Sequence, residues 1–506
     1  MKQKFRIPML LLVLFIVVGI VASCTNSIKP DSNATNPSSG GSSVETDEYG
    51  QQIINREDLN SLDFKQAEIM IASRSEDQYC REFQAETIGD EVDAKIFARN
   101  MNVENRLGVH LVFKHPYNNS ESKTDGGNNV SQKILMAYNS GMQTYDIVGL
   151  YAYYGTSSAI RGCFVDYYDP QLQYIDLTQK YWNQNYIMTA TIYDHLYYAV
   201  GDMNLGVWDK TLVTWTNMGL AESFGYDSLY EEVLDGNWTV SRMMELMKEV
   251  QWVDLDDSGS LTANDKFALT GCTPSEAYDG FMGGFDLQFI VTDESDGTHA
   301  MNIAGNERIE QGVEQLINLF FKTPGVLTFK NDVSTPMNAF VGGRVLFNLD
   351  ILYRNDSVMG KVRDMVGYGV LPIAKLDEEQ ESYGTSPQDA YSIMAIINYP
   401  SQNKAAIGAT LELLNKLSYE DVRPYYVERV LKLRYSESEK AVRVLEKIFD
   451  GVKFDVACIY GAQIPGIQKV WRSSISNQTT VGARYDADKD TIEAALANFD
   501  SYMMTQ

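Results

Sequence analysis

The amino-acid sequence predicts an α/β fold in which parallel strands alternate with helices. Short apolar runs at 68–72, 109–114 and 145–151 have the length and composition of buried strands. Two stretches with helical periodicity, 86–107 and 130–138, separate them. This alternation of strand and helix is typical of a parallel sheet covered by helices.

The middle of the chain is predicted to contain both helices and strands, and the C-terminal part to be mostly helical. With 506 residues it is too long for one hydrophobic core, so we expect two or three packing units. The segment 193–200 interrupts the alternation, and we expect the chain to cross there to a second unit. The further predicted strands are 344–348, 368–371 and 391–397, and the further predicted helices are 238–250 (capped by Thr239 or Ser241), 309–321, 404–417, 420–432, 437–449 and 491–502.

The N-terminal segment predicts export from the cytoplasm. Lys2, Lys4 and Arg6 precede an unbroken apolar run at 8–21, which is shorter than the roughly 20 residues of a membrane span. A basic start, a short apolar run and small residues are typical of a signal peptide. We assign 1–23 to this signal. The tract that follows is rich in Ser, Asn and Gly, and we assign 24–63 to a flexible tether.

The residues before Cys24 resemble the bacterial lipobox, in which an aliphatic residue and two small residues precede a cysteine. The resemblance implies that the signal is cut before Cys24 and that its thiol carries a diacylglycerol. Such a lipid holds a protein on the extracytoplasmic face of the cell membrane without spanning it. The alternatives are an ordinary signal peptide with an incidental cysteine and an uncleaved membrane anchor.

The net charge of the chain indicates which classes of binding partner to expect. The formal net charge is −26, and the signal segment contributes only positive charges, so the exported chain is more acidic still. An acidic surface repels nucleic acid and anionic lipid headgroups. We therefore expect no nucleic-acid partner, and a ligand that is neutral, zwitterionic or cationic.

The sequence lacks the common catalytic motifs. It has four histidines and none of the HExxH, GxSxG, P-loop or dinucleotide-binding patterns. No CxxC pair occurs, which argues against a zinc site. Export permits disulfides among the widely spaced cysteines other than Cys24, but the spacing leaves their pairing open. These cysteines are Cys80, Cys163, Cys272 and Cys458.

Residues 254–265 (DLDDSGSLTAND) have the pattern of a twelve-residue calcium loop. Ca²⁺ needs six or more oxygen ligands, which such a loop supplies from alternate positions, and Gly259 permits its sharp turn. The segment resembles the EF-hand loop and, more closely, the dockerin loop, in which Asp can occupy the last position. The alternative is an acidic, solvated turn. The predicted ligands of a structural calcium are Asp254, Asp256, Ser258, the Ser260 carbonyl, Thr262 and Asp265.

An ordered set of segments resembles the family-one extracellular solute-binding lipoproteins of bacterial carbohydrate importers. Besides the lipobox, these segments are YDIVGLYAYY (145–154), HLYYAVGDMN (195–204), the helix and acidic loop at 236–271, FVGGRVLFN (340–348), the run at 368–385 and the helices at 409–435. The resemblance covers most of the exported chain, roughly 65–475.

This resemblance implies a two-lobe, periplasmic-binding-protein-like clamshell of type II with a hinge between the lobes. Lobe one would comprise 64–190 and 386–420, and lobe two 195–380 and 421–506. A sugar would be trapped between the lobes without chemical change, and the closed monomer would dock on the permease of an ATP-binding-cassette (ABC) importer. The protein would then not be an enzyme.

Candidate sugar contacts follow from the same fold. Pockets in open α/β sheets lie at the carboxyl ends of strands, and sugars bind through aromatic faces and polar side chains. Each candidate also has a structural alternative, such as core packing or a surface ion pair. The candidates are Arg74, Tyr151, Tyr153, Asp202, Asn204, Trp208, Asp350, Asp389 and Tyr391.

Two other functions fit the sequence. An anchored glycoside hydrolase needs two carboxylates across a cleft, which a chain with 68 acidic residues supplies easily. A binding lipoprotein that feeds a membrane sensor kinase would have the same sequence features as one that feeds a permease.

Overall fold

The computed structural model describes residues 57–85, 89–156, 162–250, 252–293, 295–354, 356–365, 367–431 and 439–505. The predicted signal at 1–23, the lipidation residue Cys24 and most of the predicted tether lie outside these residues. Among the described helices, none combines the length and the apolar character that crossing a membrane requires.

Two sheets organise the described chain. The first has four strands in the order β11-β3-β1-β2, and the second has five in the order β10-β4-β9-β5-β8. A small hairpin pairs β6 with β7. The strands are β1 (Ala67–Arg74), β2 (Val109–Tyr117), β3 (Ile147–Tyr151), β4 (Leu212–Asn217), β5 (Phe267–Thr273), β6 (Ile290–Thr292), β7 (His299–Met301), β8 (Val326–Lys330), β9 (Val345–Ile351), β10 (Tyr368–Leu371) and β11 (Ser392–Ile396).

Helices cover both sheets. The 3-10 or π-helical pieces include Glu57–Asn60, Thr124–Gly127, Pro170–Leu172, Asn318–Lys322 and Ser418–Val422. The α-helices are α1 (Asp77–Cys80), α2 (Glu91–Leu107), α3 (Asn119–Lys123), α4 (Asn128–Asn139), α5 (Ala152–Gly155), α6 (Gln184–Ala190), α7 (Leu205–Lys210), α8 (Met218–Ser223), α9 (Leu229–Leu234), α10 (Val240–Glu249), α11 (Ser275–Tyr278), α12 (Gly280–Gly284), α13 (Glu307–Ile317), α14 (Ser334–Val341), α15 (Asp356–Asp364), α16 (Lys404–Leu417), α17 (Arg423–Leu431), α18 (Glu439–Asp450), α19 (Val456–Ile459), α20 (Ile467–Ser476) and α21 (Val481–Met503).

The first lobe is built on the four-stranded sheet. β1 pairs in parallel with both β2 and β3, as the alternating sequence predicts. β11 joins the edge antiparallel to β3, so a strand from late in the sequence completes this lobe. The lobe begins earlier than Phe64, where we placed the end of the tether, because Leu59 is fully buried and its short helix packs on α2.

Helix α2 shows how the sequence fixes the local structure of this lobe. Asp90 accepts a hydrogen bond from the Asp93 amide and forms a capping box, so the helix begins there rather than at residue 86. Its apolar stripe, which includes Val92, Ile96 and Val103, is buried against the lobe. Gly108 ends it in the left-handed conformation, with φ of 59°.

The second lobe is built on the five-stranded sheet. β9 pairs in parallel with β5 and antiparallel with β4. The predicted strands at 344–348 and 368–371 are confirmed as β9 and β10, and Thr239 caps α10 by accepting a hydrogen bond from the Arg242 amide. Sequence periodicity did not single out β4, β5 or β8. The C-terminal helix α21 is also twice as long as the predicted 491–502.

The lobes are joined by three segments that lie side by side. Thr211 bridges Pro387 in antiparallel fashion, and Thr385 bridges Val452 in parallel fashion. The Leu212 amide donates to Ser386 (3.3 Å), and the Lys453 amide donates to Thr385 (2.8 Å). We call these three segments, 211–212, 385–388 and 451–453, the hinge.

The hinge differs in two ways from the predicted crossings. The segment 193–200 is not a crossing, because Ala199 is paired with Met394 of the first lobe. The third hinge segment leads from α18, which packs on α9 and β10, to α19, which packs on α5 and α6. Part of the predicted second-lobe segment 421–506 therefore contacts the first lobe.

Candidate functional site

Three adjoining cavities lie between the lobes, at the carboxyl ends of the strands. The central cavity, of about 230 Å³, is lined by Tyr151, Tyr153, Tyr154 and Asp389 from the first-lobe side and by Asp279 and Arg472 from the second lobe. It shares Tyr153 and Arg472 with a cavity of about 660 Å³ beside α20, the helix-20 cavity. It shares Lys123 and Gln388 with a third cavity, of about 370 Å³. Together they form a cleft.

Tyrosines that follow β3 form one wall of the central cavity. The ring of Tyr154 lies edge-on to Tyr151, with centroids 5.2 Å apart, and to Tyr153, with centroids 4.9 Å apart. The Tyr153 hydroxyl donates to the Gly461 carbonyl at 3.1 Å, which fixes its ring. Tyr391 is buried and contacts Phe454 edge-on at 5.8 Å. This wall offers aromatic faces to the apolar C–H surface of a ligand.

A hydrogen bond links the tyrosine wall to Asp389, which directly follows the second hinge segment. The Tyr151 hydroxyl donates to the Asp389 carboxylate at 2.9 Å. Burial raises the pKa of Asp389, and this hydrogen bond, together with the charges of Arg472 and Lys123, partly offsets the increase. Burial, reinforced by Asp389, raises the pKa of Tyr151 as well, so its hydroxyl stays protonated and donates. Asp389 can accept hydrogen bonds from a ligand hydroxyl on its remaining lone pairs.

Arg74 lies behind the wall instead of lining the cleft. It is fully buried, and its guanidinium carbon lies 3.7 Å from the centroid of the Tyr79 ring. Its Nη2 donates to the Ala390 carbonyl at 2.8 Å and to the Ser392 hydroxyl at 3.1 Å. Arg74 therefore positions the segment that carries Asp389.

Two other predicted contact residues, Asp202 and Asn204, lie just before α7, the helix that leads into the first hinge segment, and both bind other protein groups. Asp202 is buried and paired with Arg423 at 3.3 Å, and burial raises its pKa to about 6. Asn204 is fully buried, and its amide donates to the Ser392 carbonyl at 3.1 Å. Neither side chain lines the three cavities.

Trp208 and Asp350 are likewise engaged with protein groups. The Trp208 ring packs on Phe449 with centroids 4.5 Å apart. Asp350 accepts a 2.9 Å hydrogen bond from Nε of Arg354, and burial raises the pKa of Asp350 to about 6. Of the nine predicted contacts, the structure brings Tyr151, Tyr153, Asp389 and Tyr391 together in the central cavity.

The second lobe contributes residues that the sequence analysis missed. Asp279, between α11 and α12, accepts hydrogen bonds from Nε of Arg472 at 2.9 and 3.1 Å, and from its Nη2. Burial raises the pKa of Asp279, and Arg472 partly offsets the rise. Asp279 lies between two short helices and Arg472 on α20, nearly 200 positions further along the chain, and no local motif marks either one.

The predicted calcium loop brings its three carboxylates together. One oxygen from each of Asp254, Asp256 and Asp265 lies within 4.8 Å of the others. The amides of Ser258 and Gly259 donate to Asp254, at 3.1 and 2.8 Å, so the loop turns around that side chain. Two oxygens bound to one Ca²⁺ at about 2.4 Å cannot be more than about 4.8 Å apart, so this spacing fits the ion.

Hydrogen bonds within the loop favour the ionised form of Asp256. Side-chain hydrogen bonds from Ser258, Asn264 and Thr262 lower the pKa of Asp256 to about 2. Asp265 is buried and accepts hydrogen bonds from the Leu255 and Thr262 amides. The carboxylates of this cluster have hard oxygen atoms, which suit Ca²⁺ in preference to a soft metal.

Comparisons with known proteins identify the fold. No protein-family model matches the sequence, and no curated protein matches it. Among solved structures, the sugar-binding protein MalE from Xanthomonas citri is 14% identical, with a TM-score of 0.57, over 87% of this chain and 100% of that one.

Two further structures match nearly as well. The galacto-N-biose-/lacto-N-biose I-binding protein of a Bifidobacterium longum ABC transporter, in complex with lacto-N-biose, has 10% identity and a TM-score of 0.55, with 86% and 98% of the chains covered. A transporter-associated binding protein from B. animalis subsp. lactis, in complex with beta-1,6-galactobiose, has 13% identity and a TM-score of 0.51, with 86% and 98% covered. The chain therefore has the two-lobe, periplasmic-binding-protein-like α/β fold that was predicted from its sequence.

Proposed function

We propose that the protein is the solute-binding component of an ABC importer and that it captures a carbohydrate between its two lobes. The observation that carries this proposal is the central cavity, where the tyrosine wall from the first lobe faces polar side chains of the second. Aromatic faces matched with a few fixed hydrogen-bonding groups are what a sugar requires. The similar structures described above include complexes of binding proteins with lacto-N-biose and with galactobiose.

The hinge supports capture by lobe closure. Its three segments are short and are tied to one another by backbone hydrogen bonds, so they can act as one axis. Rotation about such an axis would bring Arg472 and Asp279 toward the tyrosine wall. A ligand that contacts both walls would favour the closed form because it binds that form more tightly.

The cleft favours binding over hydrolysis. Of the described residues that line its three cavities, Asp279 and Asp389 are the carboxylates. A glycosidase needs one carboxyl group as acid and one as base or nucleophile. Both carboxylates are already engaged by protein groups, Asp279 in an ion pair with Arg472 and Asp389 as acceptor of the Tyr151 hydroxyl.

The proposal places the protein on the extracytoplasmic face of the membrane, with lipid on Cys24 and an ABC permease as partner. The sequence of the export segment supports the anchor. Expression of the full chain in a bacterial host should put it in the membrane fraction with a diacylglycerol on Cys24, as measured by mass spectrometry. The Cys24→Ser variant should lack that lipid, and a wild-type chain uncut and unmodified at residue 24 would contradict this part of the proposal.

Calorimetric titration of the purified protein with panels of oligosaccharides, amino acids and peptides tests the ligand class. We expect saturable binding within the oligosaccharide panel. Binding confined to amino acids or peptides would overturn the carbohydrate assignment.

We also propose that the loop at 254–265 binds a structural Ca²⁺. Its three converging carboxylates support this, since they repel one another without a cation. The loop connects α10 to β5, so the ion would stabilise the connection that leads into this strand of the second sheet. The role is structural, because none of its residues lines the cleft.

A further inference from the structure

The charged side chains that line the cleft are mostly basic, although the whole protein is acidic. The chain has a formal net charge of −26. Among the described residues, the walls of the three cavities nevertheless carry eight cationic side chains and two acidic ones, Asp279 and Asp389. The cationic side chains are Lys123, Lys210, Lys330, Arg354, Lys361, Lys453, Lys469 and Arg472.

The excess is greatest in the third cavity, which we call the lysine cavity. Lys123, Lys210, Lys361 and Arg354 line it, and no carboxylate does so among the described residues. The Asp350 and Glu276 carboxylates neutralise Arg354 from behind, so the three lysines account for the uncompensated charge. Asn338 and Gln388 add neutral hydrogen-bonding groups to the wall.

Lys210 is the most informative of these residues. It lies at the end of α7, next to the hinge, and only 7% of its surface is exposed. Within the described chain its ammonium group has no hydrogen-bond acceptor and no ion-pair partner, and its nearest aromatic contact is the Tyr79 ring at 5.6 Å. The stem of Lys210 is buried, and its ammonium group lines the cavity, where an anionic partner can enter.

Charges of both signs surround Lys210. Burial lowers its pKa, and the neighbouring charges of Arg354 and Arg74 act in the same direction, against Asp209 and Asp350. The Lys123 ammonium lies 5.4 Å from the Tyr151 ring centroid, at the boundary with the central cavity. An anion beside Lys210 would thus also be within the field of a lysine that borders the sugar-binding wall.

We infer that the ligand is an acidic glycan and that the lysine cavity binds its anionic group, a carboxylate or a sulfate ester. This inference rests on the proposed function and deepens it. The neutral sugar ring would lie against Tyr151 and Tyr154 in the central cavity, and the anionic substituent would reach Lys210 and Lys123. The prediction from net charge alone, a neutral, zwitterionic or cationic ligand, would then fail because the ligand meets the lysines of this cavity and not the average surface of the protein.

Binding to a glycan array with matched neutral, uronate-containing and sulfated oligosaccharides tests the inference. We expect the full-length protein to prefer an acidic member to its neutral counterpart by about tenfold or more, the scale of one charge-assisted hydrogen bond. Raising the salt concentration should weaken binding of the acidic member and leave the neutral one unchanged. A preference for uronates or for sulfated members shows which anionic group the lysine cavity binds.

Two variants in the lysine cavity and one control outside the cleft test whether this cavity causes the preference for acidic glycans. Lys210→Met should abolish the preference for the acidic member. Lys361→Gln, at an exposed position in the same cavity, should reduce it severalfold and serves if Lys210→Met does not fold. Lys248→Met, at an exposed position outside the cleft, should leave it unchanged.

The contrary outcomes are separable. Equal affinity for neutral and acidic members, with no effect of Lys210→Met, would overturn the inference and leave the proposed function in place. No binding to any glycan would overturn the proposed function and the inference with it. A preference that survives both cavity variants would overturn the assignment to the lysine cavity.

Discussion

The Glu82 carboxylate accepts a hydrogen bond of 2.8 Å from the Gly206 amide. This contact joins the first lobe to α7, the short helix that leads into the first hinge segment. Glu82 is only 5% exposed, and burial raises its pKa to about 7, against the hydrogen bonds from Ser392 and Gly206 that lower it. A carboxyl group that titrates near neutral pH therefore supports the hinge.

The stability of the protein should depend on the protonation of Glu82. Its folded pKa lies above its unfolded value, so the folded state holds a proton that the unfolded state releases. The resulting stability is fully present below about pH 4.5 and is lost as the pH rises toward about 7. The Glu82→Gln variant lacks this titration. Its free energy of unfolding relative to wild type should therefore increase by about 1–3 kcal/mol between pH 5 and pH 8.

Urea denaturation at several pH values measures this difference. Other groups titrate equally in both proteins, so the comparison isolates Glu82. A difference that stays constant across this pH range would show that Glu82 is already ionised in the folded protein at pH 5.

The tyrosine wall should supply much of the sugar affinity. Tyr154 is half-buried between Tyr151 and Tyr153 and faces the central cavity. Removing its ring in Tyr154→Ala should weaken carbohydrate binding by about tenfold or more, because aromatic contacts at the centre of a site dominate its energy. The control is Tyr168→Ala, at a tyrosine that is 48% exposed and away from the cleft, which should bind as wild type. Equal affinities of the two variants in calorimetry would argue against the wall as the binding surface.

Close packing just before the second hinge segment should make Gly384 intolerant of an added methyl group. A Cβ at Gly384 would lie 2.0 Å from the Gly283 carbonyl oxygen, which belongs to α12. Gly384→Ala must therefore displace either α12 or the second hinge segment, and should lower the free energy of unfolding by about 1–3 kcal/mol and weaken ligand binding.

Gly360→Ala provides the matched control. Gly360 lies in α15, where an added Cβ meets nothing within 4 Å. The substitution should leave binding unchanged and raise stability by up to about 1 kcal/mol, the difference in helix propensity. Wild-type behaviour of Gly384→Ala in both denaturation and binding would show that the hinge is not closely packed there.

Calcium should stabilise the protein through the acidic loop. At a concentration about 100-fold above the dissociation constant, the ion should add about 2.7 kcal/mol to the free energy of unfolding, and a chelator should remove it. Asp256→Asn should lose most of this stabilisation. Asp257→Asn is a suitable control, because Asp257 is outside the carboxylate cluster and its φ of 55° suits Asn as well as Asp. An identical calcium response of all three proteins in thermal denaturation would place the ion elsewhere.

The elements that were predicted correctly are those with a clear local pattern of apolar residues. β1, β2 and β3 are short aliphatic runs, and α10 and α16 have clear apolar stripes, so periodicity located them. β5 was missed because its sequence, FALTGCT, is interrupted by Thr, Gly and Cys although every residue in it is buried. The third hinge segment was missed because it is defined by its pairing with Thr385, and a long-range pairing leaves no local pattern.

The residues of the candidate site were also predicted only in part. Tyr151, Tyr153, Asp389 and Tyr391 follow or precede strands of the first sheet, and the rule that pockets lie at strand ends located them. The same rule also selected Arg74, whose side chain turns inward, where its two Nη atoms donate to three protein groups. Lys210 and Arg472 were not foreseen, since they come from helices whose orientation toward the cleft depends on tertiary packing.

Native mass spectrometry of the protein with an oligosaccharide that it binds tests the central claim most directly, since one spectrum reports both capture and chemical fate. We predict a complex of one protein with one intact glycan, which is released with unchanged mass after prolonged incubation. Release of shortened glycan fragments, or failure of any oligosaccharide to give such a complex, would contradict the account.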